Sequence, residues 1–260
     1  MKNFLRGAAV VGQSGGPTVA INATLGGVIK SAVSSEYITK LYGMCNGVEG
    51  FLEGRMIDLD SEFAPGGKLD EDKLALLCQT PASALGSCRK KLPNPKEDTA
   101  VFDKLLEIFK ANDIRYFFYI GGNDSMDTVY KLSVYLEGKD YDMRVVGLPK
   151  TIDNDLVGTD HTPGYGSAAK FIAATMQEIV RDCAVYDIPA VTVVEIMGRD
   201  AGWLTAAAAL PALIGGSAPD YVYLPERTFS LESFFNDVED AFKLHPGVVI
   251  AVSEGICYAE

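Results

Sequence analysis

Short apolar runs alternate with amphipathic stretches from one end of the chain to the other, and that alternation restricts the fold more than any other feature. It is the pattern of strands joined by crossover helices in a largely parallel sheet. Ala8-Ala9-Val10-Val11 reads as a buried strand, followed by a Gly/Ser turn and a helix over about 18–34. A strand at 38–44 comes next. Val101, Phe102, Leu105, Leu106, Ile108 and Phe109 fall at helical spacing within 99–112 and lead into a strand at 116–120, which closes on Gly121-Gly122. A helix beginning near Ser125, a strand at 144–148, a helix over 166–183 and strands at 191–196, 221–224 and 248–252 complete the pattern. The expected class is α/β, with two Rossmann-like layers of mostly parallel sheet flanked by helices. The stretch 92–98, with Pro93 and Pro95, reads as a surface excursion. No internal repeat or low-complexity tract is apparent. The sequence stops at Glu260 just after a strand, without a closing helix, which reads as a chain missing its C-terminal part.

At 260 residues the chain can bury one large core or two modest ones. Its formal charge of −12 argues against a nucleic-acid or anionic-membrane partner, since both demand a dense basic face. A small phosphate ligand stays open, because backbone N–H groups and a few local cations suffice to hold one. Cys45, Cys78, Cys88, Cys183 and Cys257 are odd in number and contain no CxxC pair, so neither a disulfide framework nor a structural zinc site is indicated. Met1-Lys2-Asn3-Phe4-Leu5-Arg6 runs straight into a strand, unlike a signal peptide. A reducing cytoplasm is the expected compartment.

Four loops follow apolar strands at their carboxyl ends, where open α/β sheets place ligands, and are expected to converge on one site. Gly12-Gln13-Ser14-Gly15-Gly16-Pro17-Thr18 would let N–H groups approach an anion, or would merely be a tight connection. In Gly121-Gly122-Asn123-Asp124-Ser125, the aspartate either caps the helix or handles metal or phosphate. Pro149-Lys150-Thr151-Ile152-Asp153-Asn154-Asp155, read as an exposed loop, sets two carboxylates beside a lysine. That arrangement suits a general base next to a bound phosphate, or an Asx-turn with solvated charges. Met197-Gly198-Arg199-Asp200-Ala201-Gly202-Trp203 offers an arginine to an anion, or presents plain surface. Glu254 accepts from a sugar hydroxyl or caps the segment after the last strand. His161 and His245 lack metal spacing, and hydrogen bonding is the expected role of His161. Trp203 and 206–210 read as helix packing.

Taken together, these residues resemble the phosphofructokinase family over essentially the whole chain. Ser14-Gly15-Gly16 with Asn22, Gly86-Ser87-Cys88-Arg89, 121–125, 151–155, Gly158-Thr159-Asp160 and Met197-Gly198-Arg199 occur in the family's order and approximate spacing. The resemblance implies magnesium-assisted phosphoryl transfer to the 1-hydroxyl of fructose 6-phosphate. It implies Asp153 as the base, with Thr151, Lys150 and Asp155 beside the reacting phosphate. It implies Gly15, Gly16, Arg89, Gly122, Asp124 and Ser125 on the phosphoryl-donor side. Thr151, Asp153, Met197, Gly198, Arg199 and Glu254 would face the sugar phosphate. The donor part is expected over 1–163 and the sugar-phosphate part over 164–260. A homodimer or homotetramer is the expected assembly.

Two positions resemble pyrophosphate-using members. Asp124 stands where ATP-using members carry glycine, and Lys150 stands where they carry glycine before the threonine. A carboxylate at 124 would crowd and repel a nucleotide's α-phosphate, whereas Lys150 would serve a short, highly charged donor. Val48 takes roughly the place of a tyrosine offered to adenine. Asn123 replaces a metal-associated aspartate, so the magnesium contact passes to Asp124 or, through water, to Asn123. Ala190 replaces an arginine that reaches a neighbouring subunit's substrate, and the later segment that holds the sugar 6-phosphate lies past Glu260. The competing readings are an ATP-dependent phosphofructokinase and a non-catalytic fragment or subunit.

Overall fold

All seven residues of strand β1 (Gly7–Gln13) are buried, so both faces of the sheet it belongs to are covered. The computed structural model describes residues 4–258. Met1 to Asn3 and the chain end at Glu260, on which two expectations rest, lie outside them. The chain divides into two compact units, residues 1–150 and 151–260. The division of roles expected at 163/164 concerns ligands.

In the first unit, β1 is followed by α1 (Ile21–Val33), β2 (Ile38–Met44), α2 (Gly47–Leu52), β3 (Met56–Asp58), α3 (Leu59–Phe63) and α4 (Glu71–Gln79). Then come α5 (Ala100–Ala111), β4 (Ile114–Gly121), α6 (Asn123–Leu136) and β5 (Arg144–Pro149). The five strands lie in the order β3-β2-β1-β4-β5, all neighbours parallel except β2 and β3. Strand alternation sorts the core into two layers. Ala8 and Val10 of β1, with Phe117 and Tyr119 of β4, pack on Phe51, Phe102, Leu105, Phe109 and Leu132. Ala9, Val11 and Ile120 face the other way, onto Leu25, Ile29, Leu59 and Leu74. Phe102, Leu105 and Phe109 are fully buried at helical spacing on α5.

The second unit contains α7 (Tyr165–Cys183), β6 (Ala190–Ile196), α8 (Trp203–Ala207), β7 (Tyr221–Tyr223), α9 (Leu231–Phe242) and β8 (Gly247–Ser253). Its sheet is parallel throughout, in the order β6-β8-β7. The same alternation operates on β8. Val249 and Ala251 join Met176, Ile196 and Leu204, whereas Val248, Ile250 and Val252 meet Val238 and Ala241 of α9. Each unit is thus a mostly parallel sheet flanked by helices, the expected class. No helix among the described residues is long and apolar enough to cross a membrane.

The expected helix over 206–210 is replaced by the end of α8 and a following 3-10 turn at Leu210–Ile214. Ala207 and Ala208 are buried while Leu210 is exposed; the α-helical bonding has given way by Ala208 and Ala209, whose N–H groups donate to the Thr205 and Ala206 carbonyls three residues back, each at 3.1 Å. Within 92–98, Leu92 is buried in the first core layer, so the excursion is anchored at its start.

Candidate functional site

The first unit gathers its glycine loops at the carboxyl ends of three adjacent strands, β1, β4 and β5. Gly15 has φ +75°, a left-handed conformation that lets the chain reverse after β1. Its N–H donates to the Cys88 carbonyl at 3.1 Å, and the Ser87 hydroxyl donates back to the Gly15 carbonyl at 2.6 Å. Ser14 Oγ adds a bond to the Cys88 carbonyl at 3.3 Å. The first loop and the 86–89 segment are therefore stitched together, which sets Arg89 beside the glycines. A Cβ placed on Gly16 would lie 4.0 Å from Arg89 Nη2, and one on Gly15 would lie 3.3 Å from Lys150 Nζ.

Lys150 is not on an exposed loop, as its sequence context suggested. Only 4% of it is accessible. Its N–H extends the sheet pairing by donating to the Gly121 carbonyl at 3.0 Å, and that bond turns the side chain under the first loop. Gly121 is required by proximity, since a Cβ there would fall 2.0 Å from Ser125 Oγ. Ser125 is buried in the first turn of α6, where its N–H donates to the Gly122 carbonyl at 2.9 Å. Asn123 and Asp124 open the same helix. Asp124 faces outward and pairs with Lys91, Oδ1 to Nζ 3.0 Å. An anion at this end of α6 would meet the helix dipole's positive end together with Arg89 and Lys150. Val48 is buried, and its N–H donates to the Tyr119 hydroxyl at 3.2 Å.

The second unit begins with the carboxylate loop. Thr151 N–H donates to the Pro163 carbonyl at 3.1 Å, and the Thr162 hydroxyl donates to the Thr151 carbonyl at 2.8 Å. Asp153 N–H donates to Thr151 Oγ1 at 3.1 Å. Asn154 holds the loop, in a left-handed conformation at φ +58° and largely buried. Its Nδ2 donates to the Asp160 carbonyl at 3.0 Å and its Oδ1 accepts from Thr162 N–H at 2.9 Å. Sequence reading named its neighbours and passed over Asn154. An asparagine four residues before a glycine, inside a polar loop, was the available signal.

Asp153 Oδ1 is buried without a hydrogen-bond partner. Burial first, then the charges of Asp155 and Glu254, push its carboxyl above the ordinary aspartate range, with Arg199 opposing them. Asp153, Asp155, Arg199 and Glu254 therefore share one electrostatic neighbourhood. Glu254, just past β8, accepts from Gly198 N–H at 3.0 Å, and Ser253 Oγ donates to the Gly198 carbonyl at 2.5 Å. These bonds join the ends of neighbouring strands β6 and β8, setting Met197 to Arg199 beside Glu254. A cavity of about 710 Å³ opens beside Asp155, Asp200, His161 and Tyr165. His161 stacks on Tyr165, centroids 6.0 Å apart. Trp203 touches Tyr165 edge-on and stays 54% exposed at the start of α8, so it is only partly the packing residue expected. His245 bonds Asp220 and the Gly247 carbonyl, away from any metal set.

Among the described residues, no group of three or more His, Cys, Asp and Glu is placed to hold a metal ion. One carboxylate at Asp124 nevertheless suits magnesium brought in on phosphate oxygens, because that ion commonly takes only one or two protein carboxylates.

The family profile described as phosphofructokinase matches residues 8–260. The chain is 40% identical over 253 residues to a pyrophosphate–fructose 6-phosphate 1-phosphotransferase of Rhodospirillum rubrum, covering 97% of this chain and 59% of that protein. It is 41% identical over 252 residues to one of Xanthomonas campestris, covering 96% and 58%. A crystal structure of a pyrophosphate-dependent phosphofructokinase from Nitrosospira multiformis superposes with a TM-score of 0.86 at 37% identity, covering 97% of this chain and 61% of that one. The chain thus spans about three fifths of the length of these relatives.

Proposed function

From the premise that the chain belongs to the phosphofructokinase family, we propose that the protein moves a phosphoryl group reversibly between pyrophosphate and the 1-hydroxyl of fructose 6-phosphate. The observation that carries the choice of donor is Lys150, buried, with its ammonium under the Gly15 turn, in a chain that also places Asp124 in the first turn of α6. A short polyanion gains from a buried cation, and a carboxylate at 124 disfavours anything that extends past two phosphates.

In this reading residues 1–163 bear the donor and residues 164–260 the sugar phosphate. Gly15, Gly16, Gly122 and Ser125 supply donors from backbone and hydroxyl, while Arg89 and Lys150 neutralise charge. Magnesium, held on one side by Asp124 or through Asn123, supplies further charge neutralisation on the phosphates when bound. Asp153 takes the proton of the sugar 1-hydroxyl as that oxygen bonds to the transferred phosphorus. The bond from that phosphorus to the bridging oxygen of pyrophosphate breaks, and inorganic phosphate leaves with the electron pair. Thr151 and Asp155 orient the base and the reacting phosphate, and Met197, Gly198, Arg199 and Glu254 hold the sugar. A raised carboxyl pKa suits a base, since a stronger base gains more from the transfer. Positioning and charge neutralisation are what a loose phosphoryl-transfer transition state requires, with no covalent intermediate. A homo-oligomer in a reducing cytoplasm completes the proposal, the five free cysteines being consistent with it.

A coupled assay of fructose 1,6-bisphosphate formation, run with pyrophosphate and with ATP, tests the reading. Pyrophosphate is expected to be the better donor in kcat/KM. ATP outperforming it would overturn the choice.

A further inference from the structure

Lys91 has no part in the family resemblance, yet it is the residue that pairs with Asp124, at 3.0 Å. Its position is fixed from both sides. Cys88, three residues earlier, is buried and receives the Gly15 N–H. Leu92, the next residue, is buried too, and its carbonyl accepts from Lys131 Nζ of α6 at 2.9 Å. Between those anchors the chain carries Arg89 toward the glycine loop and Lys91 toward the first turn of α6. Both partners of the pair are about 70% exposed, at 72% and 71%, so the pair contributes little to folding stability. Its interest lies in what it does to the charge of Asp124.

A lone carboxylate at position 124 would repel every polyphosphate, short or long. A carboxylate that carries its own cation keeps its bulk and loses most of that field. We propose that Lys91 is a positioning and donor-selecting residue: by pairing with Asp124 it holds that carboxylate at the rim as a steric fence and cancels its repulsion of a two-phosphate donor. The inference rests on the pyrophosphate reading above. It makes Asp124 tolerable to a pyrophosphate-like anion only as half of a pair.

The test is a set of calorimetric titrations with methylenebisphosphonate, a non-transferable analogue, at fixed magnesium. The proteins are the unmodified chain and the variants K91M, K91R, D124G and K91M/D124G. K91M is expected to weaken binding about two- to fivefold, the size of one solvent-exposed charge pair. K91R is expected to stay within about twofold of the unmodified chain, and K91M is expected to change binding by less than about twofold once D124G is present. Equal loss from K91M in both backgrounds would overturn the inference, because Lys91 would then act on the donor directly. Tighter binding by K91M would overturn it too, since Lys91 would then obstruct the anion site and not assist it. An unmodified chain that ignores the bisphosphonate but binds ATP would remove the pyrophosphate reading itself and this inference with it. That outcome is visible before any variant is compared.

Discussion

Asn154 Oδ1 accepts the N–H of Thr162 at 2.9 Å while its Nδ2 donates to the Asp160 carbonyl at 3.0 Å, closing the segment that carries Asp153 and Asp155 into a stapled loop. Because Asn154 is largely buried at φ +58°, an alanine there loses both bonds and enters a conformation unfavourable to it. Asn154→Ala is expected to cost about 2–4 kcal/mol in chemical denaturation. Asn154→Gly accepts the backbone angle and still loses the bonds, so it is expected to recover only about 1 kcal/mol of that loss. If both variants unfold like the unmodified chain, the staple has no energetic weight.

Much of the fold was legible because burial on both sheet faces leaves unbroken apolar runs. Strand β2 lies at Ile38–Met44 as expected, and α5 departs from its expected 99–112 by one residue at each end. Most of the elements that escaped are short or weakly patterned. Between residues 47 and 79, α2, α3 and α4 turn one narrow face inward and carry no long apolar stripe. On α9, Leu231, Phe234, Phe235, Val238, Ala241 and Phe242 recur at helical spacing, with Val238 and Ala241 buried and Phe234 packed against their cluster, so that signal was present in the sequence and was passed over. Ser230, which accepts the Ser233 N–H at 3.3 Å, was a second signal, of its start. At the candidate site, residue types were readable and environments were not. The burial of Lys150 and the grip of Asn154 depend on partners brought close by chain folding, and no local spacing encodes them.

The proposed base has a pH signature. Burial, followed by Asp155 and Glu254, raises the Asp153 carboxyl, and a base works only when ionised. Activity is expected to fall with decreasing pH through a point above the ordinary aspartate value of about 4. Removing the opposing cation with Arg199→Ala is expected to move that acid limb further upward in a kcat profile. Asp153→Asn is expected to lower kcat by about 10²–10⁴-fold. An acid limb that stays in place in the arginine variant would separate Arg199 from the base.

The same shift predicts a stability effect of opposite sign to the loss of activity. A carboxyl whose folded pKa is raised contributes most to stability below its unfolded pKa, and that contribution is lost as pH rises through the folded value. At neutral pH the buried, unpartnered Asp153 Oδ1 is therefore a cost. Asp153→Asn is expected to melt higher than the unmodified chain at pH 7, with the difference shrinking toward pH 4. Thermal scans at the two pH values check this, and a difference that does not change with pH would mean the charge is not its source.

Donor choice is expected to respond to the two positions that carry it. Asp124→Gly removes the fence and is expected to raise kcat/KM for ATP by about tenfold or more while lowering that for pyrophosphate only a few-fold. Lys150→Ala removes a buried cation and is expected to cost pyrophosphate about 10²-fold in kcat/KM. The measurement is the ratio of the two donors in each variant. A ratio unmoved by Asp124→Gly would mean that donor length is sensed elsewhere.

The close approach of the chain at Gly255 gives a test of the sugar side that touches no proposed ligand. A Cβ on Gly255 would fall 1.8 Å from the Arg199 carbonyl oxygen, a backbone atom that moves only with its whole segment. Gly255→Ala therefore has to displace the turn after β6, where Met197, Gly198 and Arg199 follow one another and where Gly198 is held by Glu254. The expected cost is about 1–3 kcal/mol of stability, as for other overpacked sites. Affinity for fructose 6-phosphate is expected to fall by about tenfold or more, with the affinity for pyrophosphate nearly unchanged, because the donor loops belong to the other compact unit. Titrating each ligand separately distinguishes the cases. A fall in pyrophosphate affinity as large as that for the sugar would show that the substitution damages the fold at large and not the turn that carries Arg199.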